Sequence, residues 1–107
     1  MLNTDDIPVD KNLIKDQQIV HFEPNSFGGN HKHSRIEWFV GFGDLEFIWL
    51  DENGKQFKIH MNPNGQIKLI EVPSFLPHVI LNKSDSKIGI LFELADAKMS
   101  DDEKVLT

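Results

Sequence analysis

Asn53-Gly54 constrains the fold of this chain more than any other feature of its sequence. The pair separates LEFIWLDE from KQFKIHM, two runs rich in strand-forming residues. Asn-Gly accepts φ > 0 at both central positions of a type I′ turn, whose twist suits two antiparallel strands. A hairpin over 45–61 is therefore predicted. The same punctuation recurs along the chain. Gly43-Asp44 precedes LEFIWL, Asn62-Pro63-Asn64-Gly65 precedes QIKLIEV, Pro73 to Pro77 precedes HVILN, and NKSDS precedes KIGILFEL. Turn signals about every 8 to 12 residues are the spacing of an all-β sandwich or barrel.

Strands are expected near 18–23, 36–42, 45–50, 55–61, 66–72, 78–82 and 87–94. Alternation assigns their faces. Phe57, Ile59 and Met61 share the core side of one strand, and Lys58 and His60 share its polar side. Helical periodicity is weak. The one helical candidate is a short C-terminal stretch, ADAKMSDDEKVL, in which Ser100 and Glu103 have capping-box spacing. The expected organisation is an N-terminal arm or edge strand over 1–17, a barrel over 18–94 and a polar tail over 95–107.

Composition narrows the chemistry. A chain of 107 residues forms one domain with one core. Without cysteine it has no disulfide, no thiolate metal site and no cysteine nucleophile. Eleven Lys and Arg against 17 Asp and Glu give a net charge of −6, which argues against nucleic acid as a partner. No apolar run approaches the roughly 20 residues needed to span a bilayer. The start, MLNTDDIPVD, lacks the layout of a signal peptide, so the expected compartment is the cytoplasm. There is no tyrosine, no Ser-His-Asp layout and no Gly-rich phosphate loop.

Five histidines remain to be placed. His60 falls on a polar face, and His21 reads as structural or exposed. His31 and His33 form His-x-His, and on a strand residues two apart point to one face. Glu37 stands at even spacing from both, so a continued strand keeps it on that side. Histidines with one carboxylate form a ligand set for Fe, Mn, Ni, Co or Zn with open positions. His78 is distant in sequence and joins them only if the fold returns the chain to one cavity, as a closed β-barrel does.

The stretch His31 to Gly43 reads HKHSRIEWFVGFG, and Pro73 to Asn82 reads PSFLPHVILN. Together they resemble the two motifs of the cupin superfamily, over about 29–94 of the chain. The resemblance implies a double-stranded β-helix, the cupin jelly-roll barrel. It places His31, His33, Glu37 and His78 at the positions of four metal ligands, framed by Pro73 and Asn82. Two positions depart. Phe75 stands where the second motif has glycine, so that turn is expected to take another conformation, fixed by Pro73 and Pro77. Gly43 comes one residue early, with Asp44 at the nominal place.

The resemblance also implies one divalent transition metal (Zn, Fe, Mn or Ni), a small-molecule ligand and a homodimer. GGNHKH…EWF and VPSFLPHVILNKSD are further similar to small cupins of polysaccharide and deoxy-sugar pathways, among them sugar-nucleotide isomerases and epimerases. On that reading the metal polarises a carbonyl as a Lewis acid, and Glu37 and His78 carry the acid/base work. Glu46 and Glu71 are further candidates for that work. Arg35, the single arginine, suits a substrate phosphate or carboxylate, and Phe75 stands at the cavity mouth. The alternatives are a non-haem Fe(II) oxygenase and a non-enzymatic small-molecule-binding module.

Overall fold

Among the described residues nine strands form two antiparallel sheets, and the turn chemistry places most of them. The structure, a computed structural model, describes residues 12, 14–32, 34–97 and 103–104, with the backbone alone at 29–32 and 103–104. The strands are β1 (Asp16–Phe22), β2 (Phe27–Lys32), β3 (Glu37–Phe42), β4 (Leu45–Leu50), β5 (Gln56–His60), β6 (Ile70–Val72), β7 (His78–Asn82), β8 (Gly89–Ala95) and β9 (Glu103–Lys104). One sheet has the order β1-β8-β3-β6 and the other β5-β4-β7-β2-β9. Among the described residues no helix is long and apolar enough to cross a membrane.

The β4–β5 hairpin forms where Asn53-Gly54 predicts it, with Gly54 at φ 80° and Glu46 to Leu50 paired against His60 to Gln56. Gly43, at φ 102°, turns the chain between β3 and β4. The strand expected over 66–72 is shorter. A 3₁₀ turn occupies Pro63–Gly65, with Asn64 and Gly65 both at positive φ, and although the backbone is extended again at Gln66, pairing with β3 begins only at Ile70.

The structure adds one strand to those expected and corrects one expectation. FGGNHK forms a strand of its own, β2, between β7 and β9, although it has no apolar alternation. Glu103, expected in a C-terminal helix, is extended in β9 and pairs with Lys32. The open edge of β2 supplies the backbone partners that a helix would have supplied internally. Ser100, the expected cap, lies outside the described residues.

The sheets enclose a core of Phe22, Phe39, Leu45, Phe47, Met61, Val72, Ile80 and Leu91. Close approach demands glycine at position 89. A Cβ on Gly89 would lie 2.5 Å from Cδ2 of the fully buried Leu45. Trp38 and Leu94 form a second cluster with Ile14, Ile36, Leu69 and Phe92. Phe57 and Ile59 pair with Trp49 and Phe47, and so share their side of the sheet. Both remain 36 % exposed because β5 is an edge strand.

Candidate metal centre

Glu37 opens β3 in the four-stranded sheet, and His78 opens β7 in the five-stranded sheet. The two side chains meet across the interior, with Glu37 Oε1 3.7 Å from His78 Nε2. Both are buried. His31, on β2, stands opposite His78 in the β2–β7 register. The structure thus brings Glu37 and His78 together and puts the backbone of His31 beside them. The side chain of His31 and all of His33 lie outside the described residues.

The expectation of one continued strand from His31 to Glu37 is corrected. Between Lys32 and Glu37 the chain leaves the five-stranded sheet and enters the four-stranded one, through a bend at Ser34 and Arg35. A sheet crossing, not a period of two, brings the carboxylate to His78. Among the described residues, no group of three or more His, Asp or Glu side chains is placed to hold a metal ion.

His78 is held in one tautomer. Its Nδ1 lies 2.8 Å from the carbonyl oxygen of Leu76, which only accepts. Nδ1 therefore carries a proton, which leaves Nε2, the atom that faces Glu37, as the ring nitrogen able to offer a lone pair. The ring packs on Phe47 at 5.7 Å and 26°, and on Phe39 at 5.7 Å and 57°. From Phe47 an aromatic row continues through Trp49 to Phe57, each step 5.5 Å, with Lys55 Nζ 5.2 Å from the Phe57 ring. The row runs from the buried centre to the sheet edge.

Arg35 occupies a place that spacing did not suggest. The guanidinium expected at a substrate is buried and turned onto the protein's own carboxylates. Nε and Nη2 donate to Oε2 of Glu37 at 3.0 and 2.8 Å. Nη2 also donates to Glu93 at 3.2 Å, and Nη1 to Asp16 at 2.9 Å and to the Ala97 carbonyl at 3.1 Å. Burial works against its charge, but Asp16, Glu37 and Glu93 together hold the pKa of Arg35 above its ordinary value. Glu93 and Asp16 escaped the motif search. The readable signal for Glu93 was a glutamate inside the apolar run GILFELA, at a buried position of β8.

Three carboxylates against one guanidinium leave a formal excess of two negative charges. Burial first, then the hydrogen bond and charge of Glu93, push the Glu37 carboxyl up to about 9, against the opposing pull of Arg35. Without a cation, Glu37 therefore holds a proton at neutral pH. A divalent cation beside Oε1 would balance the excess in place of that proton. Nε2 of His78 and the carboxylate of Glu37 are donors that fit such an ion.

Phe75 corrects the expectation for its turn. The turn keeps the left-handed backbone that glycine would have favoured, with φ 64° at Phe75. Leu76 N–H closes it onto the Pro73 carbonyl at 3.3 Å. The ring is 58 % exposed, beside a hollow of about 400 Å³ that Leu50, Asp51 and Glu52 also line. Asn82 serves the frame. Its buried Nδ2 reaches the carbonyls of Phe22, Glu23 and Lys87 at 3.0, 3.2 and 2.9 Å, and its Oδ1 accepts from Ser84 N–H at 3.0 Å. His60 is bound to Asp44 at 3.0 Å and to the Asn62 N–H at 3.0 Å, away from the centre. His21 is exposed on β1.

No protein-family model and no curated protein matches the chain. Solved structures do. The capsular polysaccharide assembling protein CapF of Staphylococcus aureus superposes with a TM-score of 0.75 at 15 % identity, over 85 % of this chain and 27 % of that one. An oxalate oxidase gives 0.66 at 15 % identity, over 83 % and 45 %. The dTDP-4-dehydrorhamnose 3,5-epimerase of Elizabethkingia anophelis NUHP1 gives 0.65 at 13 % identity, over 81 % and 52 %. The chain thus spans about a quarter to a half of the length of these proteins. The fold they share with it is the cupin fold.

Proposed function

We propose that this cupin-fold chain holds one divalent transition-metal ion on Glu37 and His78, with His31 and His33 as the remaining ligands. The observation that carries the reading is Glu37 Oε1 facing His78 Nε2 at 3.7 Å in a centre with excess negative charge. Zn, Fe, Mn and Ni all suit nitrogen and carboxylate donors. Such an ion supplies Lewis acidity toward a carbonyl oxygen.

The favoured activity is isomerisation or epimerisation of a small polar carbonyl compound of the sugar class. Support comes from the polysaccharide and dehydrorhamnose proteins among the structural neighbours and from the motif resemblance. At this centre Glu37 and His78 can hold a proton while no ion is bound, and as ligands they give their facing atoms to the ion. Arg35, Glu93 and Asp16 keep the Glu37 carboxyl in place and set its charge. The aromatic row Phe47–Trp49–Phe57 excludes water on one side. Phe75 stands at the rim, where a ligand would meet it. The working unit is a homodimer. Ile19 and Phe27, 64 % and 67 % exposed, are apolar residues that a second copy would cover.

Elemental mass spectrometry of the purified chain, beside His31→Ala and His78→Ala, tests the site. About one transition metal per chain, lost in both variants, is the expected result. No metal after loading with Fe, Mn, Ni and Zn would sink the reading. Turnover of sugar carbonyls without oxygen uptake supports the isomerase, and oxygen uptake on iron favours an oxygenase instead.

A further inference from the structure

We propose that Arg35 is a positioning residue for the metal centre: it pins Oε2 of Glu37 with two nitrogens and so presents Oε1 to an ion held by His78. This rests on the metal reading above. A glutamate carboxyl on a free side chain can turn either oxygen into the interior. Here both Nε and Nη2 donate to the same oxygen, at 3.0 and 2.8 Å, instead of one to each. That one-sided grip sets which oxygen faces His78.

The grip is built into the sheet. Asp16, Ala95 and Glu37 form one row across β1, β8 and β3. Neighbouring strands lie about 4.8 Å apart, so the outer two members of the row are roughly 10 Å apart. The guanidinium bridges them, with Nη1 on Asp16 and Nε and Nη2 on Glu37. Ala95, the buried residue between them, is only a methyl group and leaves room for that plane. Glu93, also on β8, takes a further bond from Nη2. Arg35 is therefore itself fixed at both ends before it touches Glu37. Lysine has the charge but not the fork, and cannot reproduce these directions from one nitrogen.

The test titrates Co(II) into the wild-type chain, Arg35→Lys and Asp16→Asn. Affinity is read by calorimetry and the ligand field by the visible d–d bands, beside thermal unfolding of each metal-free chain. The wild type is expected to bind about one ion per chain, and Arg35→Lys to bind roughly 10- to 100-fold more weakly with displaced bands. Asp16→Asn leaves the guanidinium on Glu37 and on the Ala97 carbonyl but removes the charge opposite Nη1, so its bands should move less and in the same direction. A merely structural arginine lowers the unfolding temperature and leaves the bands where they were. Wild-type binding with equal affinity and unmoved bands in Arg35→Lys overturns the role of Arg35 and leaves the metal reading standing. No Co(II) binding by the wild type overturns both. Should Arg35→Lys not fold, unmoved bands in Asp16→Asn overturn the proposal.

Discussion

Glu37 and His78 reach each other from different sheets, Oε1 to Nε2 at 3.7 Å, with a guanidinium behind the first and a backbone carbonyl behind the second. Each side chain is turned by a partner that leaves the facing atom directed inward. The partners matter as much as the pair. Arg35 holds one oxygen of the carboxyl from behind, and the Leu76 carbonyl holds the Nδ1 side of the imidazole.

The charge of Glu37 makes the metal-free chain pH-sensitive. Its carboxyl lies at about 9 in the folded chain against an ordinary 4.5. Because the folded value is the raised one, the folded state binds the proton more tightly than the unfolded state. Its contribution to stability is complete below about pH 4.5 and is lost as pH rises toward 9. Within that window the slope is on the order of 1 kcal/mol per pH unit. Glu37→Gln keeps the shape and removes the titration, so its stability should vary much less over the same range. Urea unfolding of both metal-free chains at pH 5, 7 and 9 measures this. Parallel curves would refute it.

Phe75 is expected to carry strain from its φ of 64°. A left-handed non-glycine residue costs on the order of 1 kcal/mol or more, and glycine costs nothing sterically there. Phe75→Gly and Phe75→Ala both delete the exposed ring, so their difference isolates the backbone. Phe75→Gly should be the more stable of the two by about 1 kcal/mol, less the extra chain entropy glycine gives the unfolded state. Denaturant midpoints decide it, and an alanine variant at least as stable would show a relaxed turn.

Asn82 donates to three backbone carbonyls from one amide nitrogen. Asn82→Ala leaves those acceptors and the Ser84 N–H without that side chain. At about 1 kcal/mol or more for each buried group left unsatisfied, the loss should reach roughly 3 kcal/mol. Asn82→Asp keeps the shape but places a carboxylate against carbonyl oxygens. It should be worse at pH 7 than at pH 4, where the acid regains a proton to donate. Equal stability at the two pH values would mean that the oxygens had turned away.

What the sequence made legible follows from how local each signal is. The β4–β5 hairpin was readable because Asn53-Gly54 fixes its turn within two residues. The strands β3, β4, β7 and β8 were readable from apolar runs bounded by turns. FGGNHK was not, because its glycines remove the alternation and its pairing to β7 and β9 makes it a strand. The motif resemblance singled out Glu37 and His78, and the fold brings their side chains within 3.7 Å of each other. The strand-period argument for Glu37 failed because the chain changes sheets between Lys32 and Glu37. Arg35 was misplaced for a related reason. Its partners Asp16 and Glu93 come from β1 and β8, and nothing within two residues of Arg35 announces them. At Phe75 the missing glycine suggested a changed turn, yet closure between Pro73 and Leu76 holds the backbone left-handed.

Trp49 offers a direct optical test of the metal centre. It pairs with His78 in the β4–β7 register, and its ring lies 5.5 Å from Phe47, which stacks on the His78 imidazole. The other tryptophan, Trp38, packs with Leu94 in the separate cluster and donates its indole N–H to Glu71 at 2.9 Å. An open-shell ion such as Co(II) or Ni(II) held on His78 should quench Trp49 more than Trp38, because quenching falls steeply with distance. The wild-type chain should therefore lose emission on titration with Co(II), and Trp38→Phe should lose a larger fraction of what remains. Trp49→Phe should respond weakly while still binding the ion by calorimetry. Equal quenching in the two variants would place the ion away from His78, even if the chain binds it.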